Sequence, residues 1–143
     1  MTSATTGRPS PDDVVGVVTV DDQAVFRAAA RAIIDATPGF RAIGEASNGL
    51  DAVKLVCDVD PELVLVDVRM PGMDGIETSR RLAAAHPRSV IVLISVEDPP
   101  NVPSAAARSG AAALVRKQDL NRAKLAELWT RHGRRRAPDA RHT

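Results

Sequence analysis

The sequence has almost no aromatic residues: Phe26, Phe40 and Trp129, with no tyrosine, among 143 residues. Its core must therefore be built from Val, Ile, Leu and Ala. Three rings are too few for a surface that stacks successive bases of single-stranded nucleic acid. Cysteine is scarcer still. Cys57 stands alone, which excludes an intramolecular disulfide; lying in a helical pattern, it reads as a small buried thiol. No apolar run approaches the ~20 residues needed to cross a bilayer, and the N-terminal MTSATTGRPSPDD has no signal-peptide core. The expectation is a cytoplasmic protein with no membrane partner.

What is present fits one ordinary globular domain: 44% hydrophobic and 26% charged residues in 143. The net charge of +1 hides an asymmetry. Residues 14–130 carry 13 basic and 15 acidic side chains, whereas 131–143 carry five arginines and one aspartate. The body is mildly acidic and the C-terminal end basic.

Residues 1–13 are rich in Ser, Thr and Pro and are expected to be disordered; 14–132 form the domain, and 133–143 a basic tail. VVGVVTV (14–20) is a β-branched run ending at Asp21-Asp22, of the kind buried on both faces of a parallel sheet. Helical spacing of Val25, Ala28, Ala29, Ala32, Ile33 and Ala36 follows, stopped by Pro38-Gly39. The alternation repeats: strand 40–46, a helix with Ala52, Val53, Val56 and Cys57 on one face, strand 63–66 ending at Asp67, a loop over 70–75 and a helix to Ala85. Strand 90–94 ends at Ser95, a short Ala-rich helix at 104–109 closes at Gly110, strand 111–115 ends at Arg116-Lys117, and a helix over 119–132 stops at Gly133. Leu125, Leu128 and Trp129 form an apolar stripe expected to dock on the sheet. Five strands alternating with five helices imply a doubly wound α/β fold, its parallel sheet covered on both faces.

In such a sheet ligands bind beyond the carboxyl ends of the strands, where strand order reverses. The residues there are Asp21, Asp22, Asp67, Ser95 and Lys117. One aspartate after a strand is usually a cap or turn residue; five polar groups at one edge are harder to assign that way. Clustered carboxylates raise one another's pKa unless a cation joins them. One or two carboxylates plus waters suit Mg²⁺, and a carboxylate beside it can attack phosphorus. A lysine and a hydroxyl then meet phosphoryl oxygens and the charge they gather in the transition state. The pattern points to phosphoryl transfer onto aspartate.

The segments VVTVDDQAVFR, LVLVDVRMPGMDGIE, VLIS and GAAALVRK resemble the signature segments of bacterial two-component response-regulator receiver domains, closest in look to the NarL/FixJ-type branch. The resemblance runs from Val14 to about Trp129, and VDVRMPGMDG is its most specific part. It implies a flavodoxin-like (βα)5 fold and a phosphoryl-accepting signalling protein with only self-phosphorylation and self-dephosphorylation chemistry. It also implies roles: Asp67 as phospho-acceptor; Asp22 as direct Mg²⁺ ligand, Asp21 partly through water, and the Arg69 backbone carbonyl; Ser95 as the switch hydroxyl; Lys117 as the residue pairing with the phosphoryl group. A sensor histidine kinase would be the donor, and a downstream protein or a homodimer would read the signal.

Two departures stand out. Leu114 occupies the position where the family carries a switching Tyr or Phe. Pro99, Pro100 and Pro103 fall where its fourth helix begins, so that a helix can start only near Pro103. Arg69 and Glu97 flank the mouth and could pair across it to shield an aspartyl phosphate; a solvated pair of little consequence is the alternative. After Gly133 only RRRAPDARHT remains, so a complete single-domain regulator is expected, with the receiver half of a truncated DNA-binding regulator as the alternative. The arginine run 134–136 could touch phosphates weakly, but DNA binding is not expected of it. A phosphate-independent binding module is a further alternative. A flavin-binding protein of similar fold is excluded by the acidic DDQAVFR loop.

Overall fold

The computed structural model describes residues 14–133; the expected disordered segment 1–13 and the arginines at 134–136 lie outside the described residues. β1 (Val15–Val20) is paired with β2 (Phe40–Ala46) on one side and β3 (Leu63–Asp67) on the other; β4 (Val90–Ser95) follows β3, and β5 (Ala113–Arg116) closes the far edge. All pairings are parallel and the order is β2-β1-β3-β4-β5. Strand order reverses between β1 and β3, so a crevice opens beyond their carboxyl ends.

Period-two alternation divides the core in two. Val18, Val20, Val64, Val66, Ile91 and Leu93 face α2 (Gly49–Val59) and α3 (Gly75–Ala85), where Ala52, Val56 and Leu82 meet them. Val17, Leu63, Leu65, Val92 and Ile94 face α1 (Ala24–Ala36) and α4 (Arg122–His132) through Ala30, Ile34, Leu125 and Leu128. Because β1, β3 and β4 are sandwiched on both sides, every residue in them is buried. No helix among the described residues is long and apolar enough to cross a membrane.

The α1 face turned inward is that of Ala30 and Ile34, leaving Val25 exposed, and the last strand begins at Ala113 instead of 111. Four further differences from the sequence-based expectation have local causes. The fourth helix is not α-helical: two short 3-10 pieces, Pro99–Asn101 and Ser104–Arg108, replace it. Prolines 99, 100 and 103 remove donors that an α-helix across 99–103 would need, and Gly110, at positive φ, closes the second piece. The last helix begins at Arg122, where the Asn121 side chain accepts the Lys124 amide (2.8 Å), after a separate 3-10 turn at Lys117–Asp119. Cys57 is exposed, because α2 turns Gly49, Ala52 and Val56 inward instead. Gly133 ends α4 with an ordinary negative φ; its lack of a side chain serves close approach, since a Cβ would lie 2.5 Å from both the Trp129 ring and its carbonyl oxygen.

α3 starts hard against the end of β3. The Gly75 amide donates to the Val68 carbonyl (2.9 Å), and a Cβ on Gly75 would fall 1.9 Å from the Asp67 carbonyl oxygen. Gly75→Ala must therefore push backbone against backbone beneath Asp67. It is expected to lower unfolding free energy by roughly 2–3 kcal/mol, measured by urea denaturation; an unchanged midpoint would show that the loop yields freely.

Candidate functional site

Asp21 leaves β1 directly into the crevice and is fully buried. Its Oδ1 accepts the Gln23 amide (2.8 Å), and its backbone carbonyl accepts the Arg27 guanidinium (2.6 Å), so the start of α1 braces it from both ends. Asp22, next in the chain, is exposed. Asp67, the last residue of β3, is 6% exposed, and its Oδ1 accepts the Arg69 amide at 3.3 Å. Asp21, Asp22 and Asp67 each present a carboxylate oxygen within 4.8 Å of the other two.

Lys117 enters from the end of β5. Its ammonium lies 2.7 Å from Asp21 Oδ2 and 3.6 Å from Asp67 Oδ2, with its side chain 11% exposed. It also sits 4.5 Å from the centre of the Phe26 ring on α1. The contact to Asp21 Oδ2 is an ion pair, and among the described residues that oxygen accepts no hydrogen bond. Ser95, fully buried at the end of β4, accepts the Glu97 amide on its Oγ (2.9 Å). All five polar residues singled out from the sequence are thus at the carboxyl edge.

Around the mouth, Arg69 and Glu97 do pair, and in bidentate fashion: Nε to Oε1 at 3.0 Å and Nη2 to Oε2 at 3.3 Å. Both are partly solvated, so the link contributes little to stability, yet it spans from the loop after Asp67 to the loop after Ser95. Asp98, the next residue, pairs with Arg116 at 3.0 Å. Leu114 lines a groove of about 380 Å³ with Leu93, Pro99, Val102 and Ala106. Arg27 and Phe26 were not singled out as site residues from the sequence. The one available signal was a rare aromatic residue four positions after Asp22 in an otherwise ring-poor chain.

One charge set dominates the electrostatics. Burial, with Asp21 adding, pushes the Asp67 carboxyl up to about 6, against the pull of the Lys117 ammonium and the Arg69 amide. A lone lysine thus compensates three carboxylates incompletely. Hard oxygen donors at this spacing, one of them without a hydrogen bond, fit a divalent cation of the Mg²⁺ type.

A family model described as the response regulator receiver domain matches residues 17–128. The response regulator UvrY of Escherichia coli is 34% identical over 104 residues, covering 73% of this chain and 48% of UvrY. The signal receiver domain of a NarL response regulator from Mycobacterium tuberculosis superposes with a TM-score of 0.75 at 29% identity, covering 83% of this chain and 95% of that one. A chain of the CheX–CheY–BeF3–Mg²⁺ complex from Borrelia burgdorferi superposes with a TM-score of 0.70 at 26% identity, covering 89% and 92%. Some matched relatives are protein-glutamate methylesterases. The chain spans about half or less of the length of the curated relatives it matches.

The raised Asp67 carboxyl has a consequence for stability. An ordinary aspartate titrates near 3.8 and this one near 6, so the folded state holds the proton more tightly than the unfolded state does. The ionised group is therefore destabilising above about pH 6, and the penalty vanishes as pH falls through 3.8. In a chelator, Asp67→Asn should raise unfolding free energy at pH 7 by about 1–3 kcal/mol, shrinking toward zero near pH 4. Urea titrations at both pH values check this; an Asn variant less stable at pH 7 would contradict it.

Proposed function

The chain belongs to the response regulator receiver family of two-component signal transduction, and on that premise we propose that Asp67 is its phospho-acceptor. The observation that carries the assignment is the position of a buried carboxylate with a raised pKa, flanked by two acidic neighbours and one ammonium at the strand-order reversal. A carboxylate oxygen of Asp67 forms a bond to phosphorus as the donor's bond to it breaks. Lys117 and the Ser95 hydroxyl meet the phosphoryl oxygens, and the Arg69 amide keeps the Asp67 carboxylate oriented. Asp21, Asp22, Asp67 and the Arg69 backbone carbonyl are the groups proposed to hold Mg²⁺. When bound, that ion neutralises the carboxylates and offsets charge on the phosphoryl oxygens.

The donor would be the phosphohistidine of a sensor kinase in the cytoplasm, and a downstream protein or a second copy would read the result. The reading device would differ from that of receivers with an aromatic switch. Ser95 holds the Glu97 amide, Glu97 holds Arg69, and Asp98 holds Arg116. A hydroxyl that turns toward a phosphoryl group must release the Glu97 amide and so disturb this chain of contacts, with Leu114 repacking against the neighbouring groove. A phosphate-independent binding module is the second reading, favoured by Leu114 and by the 3-10 pieces that replace a helix; the cost of holding the carboxylates together weighs against it.

Incubation with Mg²⁺ and acetyl phosphate, followed by intact mass spectrometry, should add one phosphoryl group, lost in Asp67→Asn and in chelator. Absence of an adduct across donor and Mg²⁺ concentrations would favour the second reading. Arg69→Ala, which opens the bridge over the mouth, should shorten the lifetime of the adduct; an unchanged lifetime would make the bridge irrelevant to hydrolysis.

A further inference from the structure

We propose that Phe26 is a positioning residue that holds the Lys117 ammonium at the mouth of the site through its ring face. The inference rests on the reading of Asp67 as acceptor. Lys117 is the most mobile member of the cluster by construction, since its charge rides on four methylene groups with many rotamers. It nevertheless lies 11% exposed, with its ammonium 2.7 Å from Asp21 and 3.6 Å from Asp67. The ion pair to Asp21 accounts for this position only while Asp21 keeps its charge for the lysine. A divalent cation held by the same carboxylates would weaken that hold, when the ammonium would be needed for phosphoryl oxygens.

The Phe26 ring is the uncharged contact of the ammonium among the described residues, its centre 4.5 Å away. A ring attracts a cation by its quadrupole without cancelling its charge. A fourth carboxylate there would cancel that charge and compete for the metal. The ring is itself fixed. Phe26 packs on the buried layer formed by residues such as Val17, Ile34 and Leu125. Its neighbour Arg27 ties α1 to the Asp21 carbonyl at 2.6 Å. An aliphatic side chain at this position would also be apolar but would offer the ammonium no ring face, so the cation contact is what distinguishes the ring.

The test compares the full chain with Phe26→Leu, which keeps apolar volume, and Phe26→Tyr, which keeps the ring. Two quantities are read: the Lys117 ε-CH₂ chemical shift by ¹³C–¹H NMR, and the phosphorylation rate at saturating acetyl phosphate and Mg²⁺. The wild-type ε-protons should show an upfield ring-current shift that Leu abolishes and Tyr preserves. The rate should fall about three- to tenfold in the Leu variant, the size of one cation–π contact largely shielded from water, and return in the Tyr variant. An ε-CH₂ shift unchanged by Leu, a Leu variant as fast as wild type, or a Tyr variant as slow as Leu would overturn the proposal. If wild type accepts no phosphoryl group, the acceptor reading fails, and the chemical shift alone then decides whether Phe26 holds Lys117.

Discussion

Three carboxylates share one corner of the sheet with a single ammonium, and the rest of the arrangement is organised around tolerating that imbalance. Like charges within 4.8 Å of one another in a mostly buried crevice are unfavourable unless a cation compensates them. Lys117 supplies part of the compensation by standing between Asp21 and Asp67. Burial, with the uncompensated charge of Asp21 adding to it, leaves the Asp67 carboxyl pushed up to about 6. A domain selected only for stability would have no use for this cluster; a site that takes a divalent cation and an anionic group needs it.

The scaffold holds this corner by ordinary means. Strands buried on both faces bring Asp21, Asp67, Ser95 and Lys117 to one edge, because parallel strands end on the same side. Gly75 lets α3 begin in contact with the Asp67 carbonyl. Asp74 caps that helix through the Glu77 amide at 2.9 Å, which fixes the loop between them. On the opposite rim, prolines 99, 100 and 103 break what would have been a helix, and the loop is held by Glu97–Arg69 and Asp98–Arg116 pairs instead. These pairs are partly solvated and individually weak. That suits a segment meant to change its contacts more than one meant to lock the fold.

Much of this was legible in the sequence. The β-branched runs marked β1, β3 and β4 within a residue or so, since their burial on both faces removes any dependence on partner detail. The five polar strand-end residues followed from the strands themselves. The Arg69–Glu97 contact suggested by the spacing is present in the fold. Three matters were not readable. Whether the Ala-rich stretch at 104–108 would be α-helical or 3-10 depended on how Pro103 and Gly110 anchor its ends. Cys57 was placed on the buried face, but α2 rotates Val56 inward and leaves it exposed. The contact of Phe26 with Lys117 joins positions 91 residues apart and has no one-dimensional signature.

The crowded carboxylates fit a divalent cation, and a Mg²⁺ titration of thermal stability tests that fit most directly. The midpoint of unfolding should rise with Mg²⁺ and saturate, as binding to the folded state alone requires, and Asp22→Ala should blunt the rise. A midpoint indifferent to Mg²⁺ through the millimolar range would contradict the account.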